Sequence, residues 1–178
     1  MEAPDIRQAV HADLPAVISS LGQETYFIDR LILQDAGHGF LLIAWELRIA
    51  LGDVYVWLAP AEELKLRTHL PGVALLTHLE VIPDRRNQGI GTELLRAAQE
   101  RLSAMGHDQV ALGVGLDNPK AQRLYRRLGY EEWPHGEVDT TRTEYGANGE
   151  RELRPEKCRI MVRRLDRHHD QPCARHPA

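Results

Sequence analysis

The feature that most constrains this chain is a short glycine-containing loop between a strand-like segment and a helical segment. An apolar, strand-like run over residues 72–81 precedes the loop, and a helical pattern over 92–105 follows it. The loop consists of Arg86, Asn87, Gln88, Gly89, Ile90 and Gly91. The first amides of a helix have no partners inside it, and the helix dipole adds partial positive charge there. The two glycines lack a Cβ, so a phosphate can approach the backbone closely.

Two common nucleotide-binding motifs do not fit this loop. A dinucleotide fold uses G-x-G-x-x-G and a P-loop uses G-x-x-x-x-G-K-[ST], and neither spacing is present. A plain strand–loop–helix turn is the structural alternative. Two glycines, with Arg86 three residues before the first of them, favour an anion-binding loop over that alternative.

The pattern Arg-x-x-Gly-x-Gly after a hydrophobic strand resembles the coenzyme A loop of the GCN5-related N-acetyltransferases, the GNAT superfamily. A second segment, residues 118–130, is similar to that family's N-x-x-A-x-x-L-Y-x-x-x-G-[FY] motif. The matching positions are Asn118, Ala121, Leu124, Tyr125, Gly129 and Tyr130. One helix and one strand separate the two blocks, as in the family. The resemblance implies the family's fold and an acetyltransferase activity.

This resemblance also implies acetyl-CoA as co-substrate, with no metal. The loop and Arg86 would bind its pyrophosphate, and the pantetheine arm would pair with the backbone of Leu79 to Val81 like an added strand. An amide near Val81 would face the thioester oxygen. Arg85 would face either the 3′-phosphate or solvent, and Asn118 would bond the arm, cap its helix, or do both. The implied cofactor-binding residues are Leu79, Val81, Arg86, Asn87, Gln88, Gly89, Ile90, Gly91, Thr92, Asn118, Ala121 and Tyr125.

Acetyl transfer needs a proton donor for the departing thiolate and an acceptor for the amine proton. The resemblance places the hydroxyl of Tyr125 beside the sulfur, and a phenol is protonated at neutral pH. The alternative is that Tyr125 is a core residue of an amphipathic helix. For the base, Glu80 is favoured over His78, because Glu80 lies next to the expected thioester. Many family members carry the acidic base further upstream, where this chain has Leu75, so the assignment between these two stays open.

The periodicities predict an α/β fold with the element order βααβββαβαββ. The resemblance implies that this is the GNAT fold, a mixed and strongly twisted sheet of about seven strands with about four helices, splayed between its fourth and fifth strands. In this prediction Phe40 to Leu51 is a long strand, Gly52-Asp53 is a hairpin turn, and residues 60–72 are a charged connection. Asp13 is a candidate helix cap, and Cys158 to Leu165 is the last strand.

Residues 1–165 are predicted to form a single domain. Within it, the polar segment 134–157 is a long variable hairpin or loop. We expect residues 166–178 to be a disordered tail, with a histidine metal site as the alternative. Residues 131–157 carry eight Asp or Glu against four Lys or Arg, and Glu62 and Glu63 are expected near the same rim.

Composition narrows the class of protein. The chain has 178 residues and a net charge of −4, which disfavours general nucleic-acid binding. It shows no apolar run long enough to span a bilayer, and its two cysteines form no disulfide framework. These features predict a cytoplasmic protein with no nucleic-acid and no membrane partner. Its oligomeric state stays open, with a homodimer as one alternative.

The prediction for function is direct transfer of an acetyl group from acetyl-CoA to a primary amine of a small, cationic molecule. One alternative is a protein acetyltransferase acting on an N-terminus or a lysine. Another, from a different class, is a non-catalytic acyl-CoA-binding module. The presence of both Tyr125 and Asn118 favours catalysis over binding alone.

Overall fold

The computed structural model describes residues 3–166, which form one sheet of eight strands with five α-helices. The strands are Asp5–Gln8 (β1), Gly39–Glu46 (β2), Ile49–Trp57 (β3), Ala74–Val81 (β4), Gln109–Gly115 (β5), Glu131–Glu132 (β6), Val138–Tyr145 (β7) and Arg151–Arg164 (β8). The helices are Leu14–Leu21 (α1), Glu24–Asp35 (α2), Leu64–His69 (α3), Ile90–Ala104 (α4) and Pro119–Arg127 (α5). The sheet order is β1-β2-β3-β4-β5-β8-β6, and β7 pairs with β8.

The predicted mixed α/β sheet is confirmed. Strands β4 and β5 pair in parallel, while the other described strand pairs are antiparallel. The elements missing from the prediction are α3 and β7. Helix α3 has six residues, which is too short to show a helical period, so residues 60–72 are wrongly predicted as a plain connection.

The polar segment 134–157 forms a hairpin, one of its two predicted forms. Strand β7 and the outer half of β8 build it, so the last strand begins at Arg151 rather than at Cys158. Side chains along residues 151–155 are exposed on both sides of the strand. Such a strand has no apolar alternation, which explains why its start is not visible in the sequence.

The predicted turn at Gly52-Asp53 is wrong. The β2–β3 hairpin turns at Leu47 and Arg48, and Leu47 has a positive φ of 55°. Gly52 lies instead within β3, where a Cβ would stand 2.4 Å from the carbonyl oxygen of Glu80 on β4. This glycine therefore marks a close approach between two strands, which the sequence alone cannot distinguish from a turn.

Both faces of the sheet are covered. On one face α4 packs with Leu94, Leu95 and Leu102 fully buried, as the helical pattern predicts. On the other face α1 and α2 bury Val17 and Phe27. Burial of apolar surface on both faces fixes β4 and β5 in the centre of the sheet, where the predicted site residues lie.

Asp13 precedes α1 at the predicted cap position, but its side chain does not cap the helix. Asp13 makes no side-chain bond to α1, because its carboxylate turns back to Arg7 at 2.7 Å and to the amide of Val10 at 2.9 Å. Apart from Asp166, the predicted tail lies outside the described residues. Within residues 3–166, no helix has the length and apolar character that a membrane crossing requires.

Candidate active site

The central strands separate in the middle of the sheet. Strand β4 pairs with β5 only over Ala74–Leu76 and Val110–Leu112, and the two strands diverge beyond these residues. The separation follows a bulge in β4, because Tyr55 pairs with His78 and Val56 with Leu76, leaving Thr77 as an extra residue. A bulge bends a strand and increases its local twist. The predicted splay is therefore present, and a bulge in β4 accompanies it.

The backbone of β4 beyond the bulge presents hydrogen-bonding groups to the gap. The amide of Ile82 donates to the carbonyl of Leu51 on β3 at 2.9 Å. In an antiparallel pair successive amides alternate in direction, so the amides of Val81 and Leu79 point away from β3. They face the side on which β5 has moved away. An extended, peptide-like group would fit between the strands at this point.

The glycine loop lies at the end of this gap. A single 3-10 turn over Pro83–Arg85 precedes it, and Asn87 and Gly89 both adopt positive φ angles, of 59° and 86°. The first hydrogen bond of α4 runs from the amide of Glu93 to the carbonyl of Gly89, at 3.0 Å. The preceding amides therefore lie outside the helical ladder, at the positive end of the helix dipole. The loop has the geometry that an anion site requires.

The two arginines of the loop differ in their contacts. Arg85 forms a bidentate ion pair with Glu46, at 2.6 and 2.8 Å. Its guanidinium therefore has a protein partner, which neither of the two predicted positions, at a 3′-phosphate or in solvent, included. Arg86 is exposed, and its Nε donates to the carbonyl of Val81 at 3.0 Å. Its guanidinium therefore lies at the end of β4, beside the gap.

Helix α5 carries the second motif. The side-chain oxygen of Asn118 accepts from the amide of Ala121 at 3.1 Å, which confirms the predicted cap. Tyr125 is partly buried and packs edge-on against Tyr130, with ring centroids 5.6 Å apart. Burial raises the pKa of Tyr125, so the phenol keeps its proton at neutral pH.

His78 and Glu80 belong to a cluster of three ionisable groups. The Nδ1 of His78 lies 2.8 Å from Oδ2 of Asp53, which is fully buried, and its Nε2 lies 3.5 Å from Oε2 of Glu80. The hydroxyl of Tyr26 donates to the same Asp53 oxygen at 3.3 Å, and the Tyr26 ring packs against His78 with the two ring planes tilted by 33°. The imidazole is thus held between two carboxylates.

The cluster changes the protonation of both predicted base candidates. Burial alone would lower the pKa of His78, but its hydrogen bonds to Asp53 and Glu80 raise that pKa to about 9. The hydrogen bond from His78 lowers the pKa of Glu80 to about 2, and Gln23 adds to this effect by donating at 2.9 Å. At neutral pH the cluster therefore holds a charged imidazolium between two carboxylates.

The sequence patterns do not predict that Asp53 belongs to this cluster. It lies directly opposite Glu80 in the β3–β4 register. Once Gly52-Asp53 is interpreted as a turn, Asp53 is placed at the surface and has no relation to His78. One sequence signal could have revealed this role. The strand-like pattern of β3 can be continued through Gly52 and Asp53, and a continuous strand would place the Asp53 side chain opposite β4.

A cavity of about 810 Å³ opens beside the gap. Thr77 and His78 of β4 line it together with Gly113 of β5, so the cavity reaches the point where the two strands part. Trp57 also lines it, and so do most residues of β7.

The β7–β8 hairpin is fixed over this cavity by contacts with α2. Arg151 donates to Asp29 through two nitrogens at 2.9 and 2.6 Å, and Tyr145 donates to the same carboxylate at 3.1 Å. Cys158 also lines the cavity, and burial raises the pKa of its thiol to about 11, so the thiol keeps its proton at neutral pH. Among residues 3–166 there is no group of three or more side chains suited to hold a metal ion.

Known proteins match this chain in sequence over about a third of its length and in fold over about nine-tenths of it. Over 61 residues the chain is 43% identical to a mycothiol acetyltransferase of Clavibacter sepedonicus, a stretch that covers 34% of this chain and only 20% of that relative. The fold is similar to a ribosomal-protein-alanine N-acetyltransferase of Brucella melitensis, with a TM-score of 0.64 at 19% identity over 90% of this chain and 99% of the other.

A second solved structure has the same fold and contains a bound ligand. It is a phosphinothricin acetyltransferase of Sinorhizobium meliloti in complex with acetyl-CoA, with a TM-score of 0.61 at 22% identity, covering 92% of this chain and 89% of the other. The model of the acetyltransferase (GNAT) family matches residues 8–130, more than half of the chain, including the glycine loop and the α5 motif. This chain therefore belongs to the acetyltransferase (GNAT) family, as the resemblance of its glycine loop implied.

Proposed function

We propose that this protein is an acetyl-CoA-dependent N-acetyltransferase that moves the acetyl group directly to a primary amine. One observation carries the proposal: a cavity is lined by β4 and β5 at the point where they separate, and the gap that begins there ends at the glycine loop. A cofactor arm in the gap and an acceptor in the cavity would meet there. The amides of Leu79 and Val81, the loop amides and the exposed Arg86 all fit such a cofactor.

Bound acetyl-CoA supplies a thioester whose acetyl carbon forms a bond to the amine nitrogen while its bond to sulfur breaks. An amide of β4 facing the gap stabilises the negative charge that develops on the carbonyl oxygen. Tyr125 donates its phenolic proton to the departing thiolate. The amine proton passes to the base, so one proton is lost from the amine and one is gained by the sulfur.

For the base we propose His78 rather than Glu80. A carboxylate whose pKa is about 2 binds a proton weakly, so Glu80 is a poor acceptor. The neutral form of His78 is a strong proton acceptor, because the pKa of the imidazole is about 9. Asp53 would hold the ring and stabilise the charge that forms, and Glu80 would tune the pKa of the imidazole.

The charges around the cavity support a cationic acceptor. Four carboxylates line it, from Glu62, Glu63, Glu144 and Glu156, against two arginines and His78. Arg142 is already paired with Glu144 at 2.7 Å and approaches Glu156 at 4.0 Å. Glu62 and Glu63 thus lie at the rim as expected. An acidic rim raises the local concentration of cations and speeds their encounter with the site.

The proposal is tested by incubating the protein with acetyl-CoA and a set of amines of matched size and different charge. Acetylated products are identified by their mass, and kcat/KM is measured at low and high salt. Cationic amines should be the better substrates, and salt should weaken this preference because it screens exposed charges. A charge preference that is absent, or that salt leaves unchanged, would show that the acidic rim does not select the acceptor.

The same experiment separates the alternatives. The similar proteins carry names that refer to mycothiol, phosphinothricin and ribosomal-protein alanine, so their names do not choose between small molecules and proteins. Peptides with a free N-terminus or a lysine are included in the set for this reason. Binding of acetyl-CoA with no transfer to any member would favour a non-catalytic acyl-CoA-binding module.

A further inference from the structure

The cavity contains one arginine whose charge the described residues leave without a carboxylate. Arg30 extends from α2 into the cavity, and within residues 3–166 no carboxylate lies within 4.0 Å of its guanidinium. The other two cationic groups that line the cavity, His78 and Arg142, both have carboxylate partners within that distance. Arg30 therefore differs from them in having charge available for a ligand.

The surroundings of Arg30 are aromatic rather than acidic. Its guanidinium carbon lies 5.0 Å from the ring centroid of Tyr26 and 5.1 Å from that of Tyr55. One terminal nitrogen reaches the hydroxyl of Tyr145 at 3.5 Å, a long contact, and the buried Nε has no hydrogen-bond partner among the described residues. The adjacent Asp29 is bonded by Arg151 and Tyr145 instead.

Such an arrangement holds the guanidinium in place without neutralising it. Two tyrosine faces orient a cation and stabilise it weakly, whereas a partly buried charge is fully compensated only by a hydrogen-bonded partner of opposite sign. Arginine binds carboxylates well because its planar nitrogens match two oxygens at once. A free carboxylate entering the cavity would supply the missing partner.

Arg30 also lies close to the reacting end of the cavity. The ring of Tyr26 contacts both Arg30 and His78, with a centroid separation of 4.3 Å from the imidazole. An anion at Arg30 and an amine at His78 would thus both lie beside one tyrosine. Glu62 and Glu63, which line the same cavity, offer negative charge to a second positive group on the same molecule.

We propose that Arg30 is a carboxylate-binding residue of the acceptor site, and that the acceptor is an amine that also bears a carboxylate, in the class of the basic amino acids. The inference rests on the proposed N-acetyltransferase function and narrows its substrate. One amine would accept the acetyl group, and the carboxylate would bind Arg30. The remaining positive charge would lie near the carboxylates of Glu62 and Glu63 at the rim. It explains why a cavity with an acidic rim retains one unpaired arginine.

The test compares acceptors that differ only in the carboxylate. The probes are L-lysine and L-ornithine, each with its own carboxamide, which keeps the amines and removes the negative charge. The parent protein should prefer each acid over its amide by about tenfold or more in kcat/KM, the range expected for a hydrogen bond to a charged group. In Arg30→Gln this preference should disappear, and Arg30→Lys should retain a reduced preference.

Each preparation is measured with both the acid and the amide, so the fraction of folded protein cancels in the ratio of their kcat/KM values. A loss of stability, caused by losing the contacts of Arg30 with the tyrosines, therefore does not change that ratio. Arg164→Gln, at the exposed far end of β8, is the matched control and should keep the parent's ratio. If the parent prefers the amides, or if Arg30→Gln keeps the preference for the acids, the inference about Arg30 is wrong while the proposed acetyltransferase function stands. If acetyl-CoA binds but none of these probes or other amines is acetylated, the proposed function fails and this inference fails with it.

Discussion

Replacing Tyr125 with phenylalanine is expected to lower kcat by roughly 10²-fold while leaving acetyl-CoA binding nearly unchanged. The phenol is partly buried on α5, and burial keeps it protonated, so it can donate to a thiolate. Removing only the hydroxyl preserves the ring and its packing against Tyr130. Steady-state kinetics and a separate measurement of acetyl-CoA affinity check the two halves of the prediction.

The neighbouring Tyr130 provides a matched control for this substitution. Its hydroxyl accepts from the side chain of Gln99 at 2.7 Å in the core, so Tyr130→Phe should lower the melting temperature and leave kcat close to that of the parent. If Tyr125→Phe turns over as fast as the parent, the leaving thiolate obtains its proton elsewhere and Tyr125 is a core residue only.

The second large effect concerns the base, and it appears in the pH dependence. Changing His78 to glutamine should lower kcat/KM by about 10²-fold or more, within the range of general base catalysis. In the parent, kcat/KM should rise with pH as His78 loses its proton, because hydrogen bonds to Asp53 and Glu80 raise its pKa to about 9. Glu80→Gln removes one of these carboxylates and should move the rise to lower pH.

The direction of that shift separates the two candidates. If Glu80 were the base, Glu80→Gln would lose activity near neutral pH and recover only towards the pKa of the amine itself. Because parent and variant act on the same amine, its own titration cancels in the comparison. Identical pH profiles for the parent and Glu80→Gln would exclude both the proposed tuning and a catalytic role of Glu80.

Asp53→Asn offers an independent check on the same cluster. The change keeps the size of a fully buried side chain and removes the charge that lies 2.8 Å from Nδ1 of His78. It should shift the pH profile in the same direction as Glu80→Gln.

The parts of the site that the sequence predicts are those built from residues close together in the chain. The glycine loop and the cap of Asn118 on Ala121 depend on spacings of a few residues, so their geometry follows from local rules. The splay could be predicted only through the resemblance to a family, because the pairing of β4 with β5 joins segments more than 30 residues apart.

The parts that the sequence does not predict depend on tertiary register. Asp53 reaches His78 only because β3 runs through Gly52, and the turn-like Gly52-Asp53 pair hides this. Arg30 is one of four charged residues on the amphipathic helix α2, and its lack of a carboxylate partner follows from where Arg151 binds. Periodicity assigns a residue to a face but cannot say which opposite charge it will meet.

Binding of acetyl-CoA to the glycine loop tests the central claim most directly, and thermal unfolding measures it. At a hundredfold excess over its dissociation constant, acetyl-CoA should stabilise the protein by about 2.7 kcal/mol, and NADH and ATP should do much less. Gly89→Ala and Arg86→Ala should reduce this gain. Gly37, which follows α2 and has a φ similar to that of Gly89, provides the matched control. Both glycine variants should unfold at lower temperature than the parent, but Gly37→Ala should still be stabilised by acetyl-CoA as much as the parent is. A melting temperature that millimolar acetyl-CoA leaves unchanged in the parent would contradict the account.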